Sequence, residues 1–131
     1  MAQIPGVWDL FVPRIEEVEN ARGDLTYGVC EEAVDGQGTF AYTAAIEADD
    51  LSCVPEGMVG FTVPAGTWAV FTHRGHISKI VETFDAIAGA WLAAANLTRR
   101  DAKDLEVYDE SFDPATGMGD VGIHIPVHPP R

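Results

Sequence analysis

Hydrophobic and polar positions along the chain follow two periods, and the longer period predicts two helices. In residues 4–18, apolar side chains recur every three or four positions, which predicts a helix with a kink or break at Pro13. Residues 77–95 show the same period over a longer stretch and predict the second helix. Ser78 is placed to cap the start of this helix, and Asn96 to close its end.

Shorter runs rich in β-branched and aromatic residues predict the strands. These runs are residues 25–31, 39–48, 58–63, 67–73, 105–111 and 120–127. The segment Asp35-Gly36-Gln37-Gly38 is typical of a hairpin turn between the first two runs. Pro64-Ala65-Gly66 joins residues 58–63 to residues 67–73, and we interpret the two runs as one bent strand or two short ones.

The order of the predicted elements repeats along the chain. The second half is predicted as strand, helix, strand and strand, and the first half as helix, strand and strand. We therefore expect an α+β fold, in which tandem strand-helix-strand-strand repeats form one antiparallel sheet with two helices on one face. The first strand of the first repeat is missing from this pattern. Its absence leaves an open sheet edge, which either residues 58–63 or a second chain in a homodimer would cover.

Length and charge limit the classes of protein and partner. The chain has 131 residues, the usual size of one domain, and we interpret residues 1–131 as a single domain. The formal net charge of −13 argues against a nucleic-acid partner, because such binding depends on Lys and Arg at the phosphates. The same charge attracts cations, although solubility alone also accounts for it. The sequence shows no apolar run long enough for a membrane and no signal peptide, so we expect a cytoplasmic protein.

Neither the cysteines nor the histidines predict a metal or cofactor site. Cys30 and Cys53 lack the spacing of zinc ligands, and we interpret them as free thiols. The four histidines are not spaced as metal ligands either. The sequence contains no nucleotide-binding fingerprint and no catalytic-serine motif. We therefore expect neither a metal nor a cofactor.

The predicted strand 105–111 contains the most informative polar residue, Glu106. Side chains alternate along a strand, so Glu106 and Tyr108 point to one face and Leu105 and Val107 to the other. If the first face is turned toward the helices, the carboxylate is buried and needs a partner, such as a tyrosine hydroxyl or a cationic ligand. If it is the open face of the sheet, Glu106 meets water. Strand alternation does not decide between these two interpretations.

Aromatic side chains would be the second part of a receptor for cations. A cation over an aromatic ring is stabilised by about 0.5–2 kcal/mol. Aromatic residues occur on both predicted helices and on most of the predicted strands. Core packing accounts for most such residues in globular domains, and it remains the alternative explanation for each of them.

Several segments, taken in order, form a recognisable set. Residues 62–75 contain a Pro-Ala-Gly strand followed by a His-x-Gly turn at His73. The other segments of the set are residues 8–15, 27–30, 90–92, 105–114 and 121–127. Together they resemble the GyrI-like small-molecule-binding domains, the effector-binding domains of multidrug-sensing, transcription-activator-like bacterial regulators. The resemblance covers nearly the whole chain.

This resemblance implies a ligand cleft between the two helices, with the sheet as its floor. It implies that the buried acidic residue of the family falls on Glu106, with Tyr108 beside it, and that Trp91 and Trp8 line the cleft from the helices. The candidate ligand-binding residues are Glu106, Tyr108, Trp91, Trp8, Phe11, Phe40 and Trp68. In multidrug regulators such a domain is fused to a DNA-binding domain, but no segment of this sequence has a helix-turn-helix pattern.

The residues and the resemblance are compatible with three functions. The first is a stand-alone module that binds cationic, lipophilic, drug-like compounds in an aromatic pocket with a buried glutamate. The alternative is a hydrolase of strained cyclopropane-type toxins, which some GyrI-like proteins resemble, with Glu106 activating water. The third is an acidic inhibitor of gyrase-like enzymes, although the negative charges are scattered along the chain and form no block.

Overall fold

The helices and strands follow one another in an α+β order that confirms the predicted fold class. The structure, a computed structural model, describes residues 4–32 and 40–129. The helices are α1 (Ile4–Phe11), α2 (Ile80–Ala86) and α3 (Leu92–Ala94), and the strands are β1 (Ala21–Glu32), β2 (Phe40–Ala48), β3 (Thr67–His76), β4 (Asp104–Tyr108) and β5 (Met118–Val127). None of the helices within these residues has the length and apolar character needed to cross a membrane.

The five strands of the described residues form one antiparallel sheet in the order β2-β1-β4-β5-β3. The two predicted repeats lie side by side in this order, because β1 and β4 pair at the centre and β2 and β5 flank them. β3, the opening strand of the second repeat, forms one edge of the sheet. In the described part of the chain β2 forms the other edge. The expectation of a missing first strand concerns residues before Ile4, which lie outside the described residues.

The register of the strands determines which residues share a face of the sheet. Glu106 on β4 lies opposite Gly28 on β1 and opposite Ile123 on β5. Directly opposed residues of antiparallel strands point to the same face. Ile123 is completely buried, and Ile80 and Ile87 of the second helix belong to the same core cluster. Glu106 therefore lies on the face that the helices cover, which decides between the two interpretations of the sequence.

The second helix spans residues 77–94 and changes its winding along its length. It begins with a 3-10 turn (Ile77–Lys79), continues as α2, passes through a π-helical segment (Ile87–Trp91) and ends as α3. The cap is His76, whose Nδ1 accepts a hydrogen bond from the Ser78 N–H at 3.1 Å. The prediction of Ser78 as the cap is wrong, because the cap lies two residues earlier and Ser78 is a donor in the first turn. Asn96 ends the helix in the left-handed region (φ 58°), as predicted.

Two other segments differ from the prediction. The first helix is α-helical only to Phe11 and continues as a 3-10 turn, Val12–Glu17, so the break falls next to Pro13. Residues 49–66 form no strand, and the predicted strand 58–63 is wrong. Gly60 interrupts this run and Pro64 follows it directly; glycine weakens a strand, and proline cannot donate to a strand ladder. The predicted hairpin turn at residues 35–38 lies outside the described residues.

Candidate ligand-binding site

The carboxylate of Glu106 is buried on the helix-covered face of the central strand β4. Only 6% of the residue is exposed to solvent. Two tyrosine hydroxyls donate hydrogen bonds to the same oxygen, Oε1: Tyr42 at 2.8 Å and Tyr108 at 2.7 Å. Glu106 therefore has the tyrosine partner that its burial required.

A glycine on the neighbouring strand makes room for this arrangement. Gly28 on β1 lies directly opposite Glu106. A Cβ atom at Gly28 would lie 2.6 Å from Oε1 of Glu106 and would also clash with the hydroxyl of Tyr42. The hydrogen bond between Tyr42 and Glu106 thus requires a residue without a side chain at position 28.

The first helix brings Trp8 onto the two tyrosines. The indole Nε1 of Trp8 donates a hydrogen bond to the hydroxyl of Tyr42 at 3.0 Å, so a chain of hydrogen bonds runs from α1 through Tyr42 to Glu106. The ring of Trp8 also meets the ring of Tyr108 edge to face, with 5.6 Å between the centroids. Phe11 lies 6.2 Å from Trp8, and Phe112 lies 5.0 Å from Tyr108. Aromatic rings thus pack against the two tyrosines that bind the Glu106 carboxylate.

The electrostatic environment of Glu106 is that of a carboxylate removed from water. Burial raises the pKa of Glu106, and the hydrogen bonds from Tyr108 and Tyr42 and the charge of His73 oppose this rise. Burial and the nearby carboxylate raise the pKa of both tyrosines, so both hydroxyls stay protonated and act as donors. Within residues 4–32 and 40–129, no Lys, Arg or His forms an ion pair with Glu106.

The second helix contributes a separate aromatic pair on the same face. Trp91, in the π-helical segment, is 43% exposed and stacks on Phe71 with 5.8 Å between the centroids. Phe71 on β3 lies opposite Ile123, and Ile123 lies opposite Glu106. Since neighbouring strands are about 4.8 Å apart, Phe71 and Glu106 share a row across the sheet at about 10 Å.

The structure does not bring all the predicted site residues together. Trp68 is the neighbour of Ala69 on β3, and Ala69 belongs to the core. Because successive side chains of a strand point to opposite faces, Trp68 points away from the core face of the sheet. There the guanidinium of Arg100 lies 5.0 Å from its ring. Phe40 begins β2, but its side chain lies outside the described residues.

Sequence reasoning missed one residue at the centre of the site, Tyr42. The sequence placed Tyr42 on a strand with other aromatic residues, but nothing in the pattern joined it to Glu106. The link depends on two strand pairings. Tyr42 on β2 lies opposite Cys30 on β1, and Cys30 lies opposite Asp104 on β4, two residues before Glu106. These pairings are long-range and have no local signal in the sequence.

The described residues contain no group of three His, Cys, Asp or Glu side chains arranged to hold a metal ion. In this part of the chain, two hydroxyl donors contact the buried carboxylate of Glu106, and several aromatic rings lie beside them. Such a set can bind a cation and shield it from water.

Comparison with known proteins places the chain in a family. Residues 1–128 match the model of the GyrI-like small molecule binding domain. The chain is 37% identical over 124 residues to the transcriptional regulator BrlR of Pseudomonas aeruginosa, and the match covers 93% of this chain and 45% of BrlR. The chain thus spans less than half the length of that relative.

A solved structure shows the same fold. The structure of SAV2435 bound to tetraphenylphosphonium superposes with a TM-score of 0.70 and 20% sequence identity, covering 96% of this chain and 78% of that one. The ordered motifs, the repeated architecture and the match over nearly the whole chain agree, and the chain belongs to the GyrI-like small-molecule-binding domain family.

Proposed function

We propose that this domain binds cationic, lipophilic small molecules and that Glu106 anchors the positive charge. The observation that carries the proposal is the buried carboxylate of Glu106, which has hydroxyl donors but no ion-pair partner among the described residues. An ionised carboxylate is costly to bury without an opposite charge. A cationic ligand supplies that charge when it binds.

The aromatic rings hold the apolar part of the ligand. Helix α1 packs on the edge strand β2, and α2 packs on the opposite edge strand β3, so that Glu106 on β4 lies between the two helices. A ligand between the helices meets Trp8 and Tyr108 on one side and the pair of Trp91 and Phe71 on the other. Cation–π contacts with these rings strengthen as water is excluded.

The similar structure supports the charge and class of this ligand. SAV2435 was solved with tetraphenylphosphonium, a bulky organic cation with four aromatic rings, and it has the same fold as this chain. BrlR is a transcriptional regulator, which favours a sensing role for a domain of this kind. We therefore propose that binding itself, and not turnover of the ligand, is the function of the site.

Calorimetric titration with tetraphenylphosphonium tests the proposal. Replacing the carboxylate in Glu106→Gln keeps an oxygen that can accept the tyrosine hydrogen bonds but removes the charge. We expect the Kd to rise at least about tenfold, as a charge pair in a partly shielded site predicts. Glu110→Gln is the matched control, because it removes one negative charge from an exposed position on the same chain.

The control separates a local from a global effect of charge. Glu110→Gln is expected to keep the wild-type Kd. If Glu106→Gln binds tetraphenylphosphonium as tightly as the wild type, Glu106 is not the anchor. If both variants lose affinity equally, the net charge and not the site attracts the cation.

A further inference from the structure

A second carboxylate lies on the same face of the same strand. Asp104 precedes Glu106 by two residues on β4, and alternate residues of a strand point to one face about 7 Å apart. Its side chain is 13% exposed. Asp104 on β4 lies opposite Cys30 on β1, and Cys30 lies opposite Tyr42 on β2, so these three residues form one row across the sheet. Tyr42 is the residue of this row that also contacts Glu106.

The two carboxylates act on a common neighbour. Burial raises the pKa of the Cys30 thiol, and the charges of Glu106 and Asp104 raise it further. Cys30 therefore lies within electrostatic reach of both carboxylates.

Asp104 has an intramolecular cation as its partner, but this partner compensates it only in part. The guanidinium of Arg99, on the segment between the second helix and β4, donates a hydrogen bond to Oδ1 of Asp104. The Arg99 side chain is 48% exposed, so the partner of Asp104 is a cation that remains about half in water. Burial raises the pKa of Asp104 to about 6 although Arg99 opposes the rise.

We propose that Asp104 is a second anionic anchor of the ligand site and that it makes the site select rigid dications. The first charge of such a ligand lies at Glu106, so this inference rests on the proposed function. The second charge lies at Asp104 and replaces the guanidinium of Arg99, which moves into solvent. The preferred ligands are aromatic dications whose two charges are separated by about the spacing of alternate strand residues, about 7 Å.

Two aromatic cations of nearly the same shape provide the test. Methyl viologen has two pyridinium charges on a rigid two-ring frame, and N-methyl-4-phenylpyridinium has the same frame with one charge. We expect the wild-type chain to bind methyl viologen about tenfold more tightly than the monocation, because each additional charge pair at a partly shielded site is of that order. The quantity of interest is the ratio of the two Kd values, measured by calorimetry on the full chain.

Three variants separate the two anchors. Asp104→Asn is expected to reduce the ratio to about one, whereas Glu106→Gln weakens the binding of both ligands. Arg99→Gln removes the competing guanidinium and is expected to raise the affinity for methyl viologen. Asp101→Asn, which removes an exposed charge three residues away, is the control and is expected to keep the ratio.

The outcomes distinguish this inference from the proposed function. A wild-type ratio near one, or a ratio that persists in Asp104→Asn, overturns the second anchor while leaving Glu106 in place. If Asp104→Asn loses both ligands through misfolding, Arg99→Gln decides, and unchanged binding of methyl viologen in that variant overturns the inference. Loss of the monocation in Glu106→Gln tests the proposed function separately.

Discussion

At the scale of single residues, the environment of Glu106 depends on the glycine opposite to it. Gly28→Ala would place a methyl group within 2.6 Å of the Glu106 carboxylate and against the hydroxyl of Tyr42. We expect this variant to be destabilised by about 1–3 kcal/mol, as for other overpacked sites. It should also bind tetraphenylphosphonium more weakly, because the hydrogen bond between Tyr42 and Glu106 cannot form. Urea denaturation and calorimetry measure the two effects.

Gly122→Ala is the matched control for this prediction. Gly122 also lies in a strand, but a Cβ atom there would meet its nearest neighbour, His124, at an ordinary distance of 3.4 Å. The control should keep the wild-type affinity. Equal effects of the two substitutions would show that the loss of strand glycine, and not the contact with Glu106, is responsible.

The raised pKa of Glu106 predicts how binding depends on pH. A permanent cation such as tetraphenylphosphonium binds the ionised carboxylate, so its affinity is full above the raised pKa and falls as the pH drops through that value. The fall therefore begins above the ordinary glutamate pKa of 4.5. Tyr42→Phe removes a hydrogen bond that stabilises the ionised form, and it should move the midpoint to higher pH.

Titrations between neutral pH and pH 4.5 test this prediction. The ligand has no titratable group, so the midpoint belongs to the protein. His73 also influences Glu106, and His73→Gln is therefore measured in parallel. An affinity that stays constant over the whole range would contradict a buried Glu106 as the anchor.

The sequence predicted the position of a site residue only where that position depends on the alternation of side chains along one strand. The sequence placed Glu106 and Tyr108 on one face of a strand, and the structure confirms this shared face. Alternation could not say that this is the helix-covered face, because that depends on the pairing of β4 with β5. Tyr42 was missed for the same reason, since its contact with Glu106 spans 64 positions of sequence.

At the scale of elements, the second helix presents Trp91 through an irregular segment. The π-helical segment Ile87–Trp91 contains Trp91, and π-helical turns are frequent at functional sites. We expect Trp91→Ala to weaken the binding of tetraphenylphosphonium by about 0.5–2 kcal/mol through the loss of a cation–π contact. The variant should fold normally, because Trp91 is 43% exposed.

Trp68→Ala is the control at this scale. Trp68 is also a tryptophan, on strand β3, but it points to the face opposite to Glu106 and lies against Arg100. Its replacement should leave the affinity for tetraphenylphosphonium unchanged. If Trp68→Ala weakens binding as much as Trp91→Ala, the ligand does not lie on the helix-covered face.

The periodicity of apolar residues predicted most helices and strands. It failed where glycine, proline or backbone dihedral angles determine the structure. The strands at 67–73 and 120–127 were found because apolar alternation and burial coincide there. Residues 58–63 have a similar apolar content, but Gly60 and Pro64 prevent a regular ladder. The cap at Ser78 was misplaced because the start of a helix is set by backbone dihedral angles, which a pattern locates only to within a few residues.

At the scale of the whole molecule, the sequence order of elements was enough to predict the α+β class and the single antiparallel sheet. The order β2-β1-β4-β5-β3 follows from packing two repeats side by side through their inner strands. The proposed ligand site lies where the two repeats meet, on β4 opposite β1. Its charge is the buried carboxylate of Glu106, within a molecule whose net charge is −13. Both features favour a cation at this junction.

The most direct test compares two ligands of the same shape and opposite charge. Tetraphenylphosphonium and tetraphenylborate differ in the sign of one central charge, so hydrophobic and aromatic contacts are nearly equal for both. We expect the wild-type chain to bind the phosphonium and not the borate, and Glu106→Gln to reduce this difference by at least about tenfold. Equal binding of both ions to the wild type, or a charge preference that persists unchanged in Glu106→Gln, would contradict Glu106 as the cation anchor.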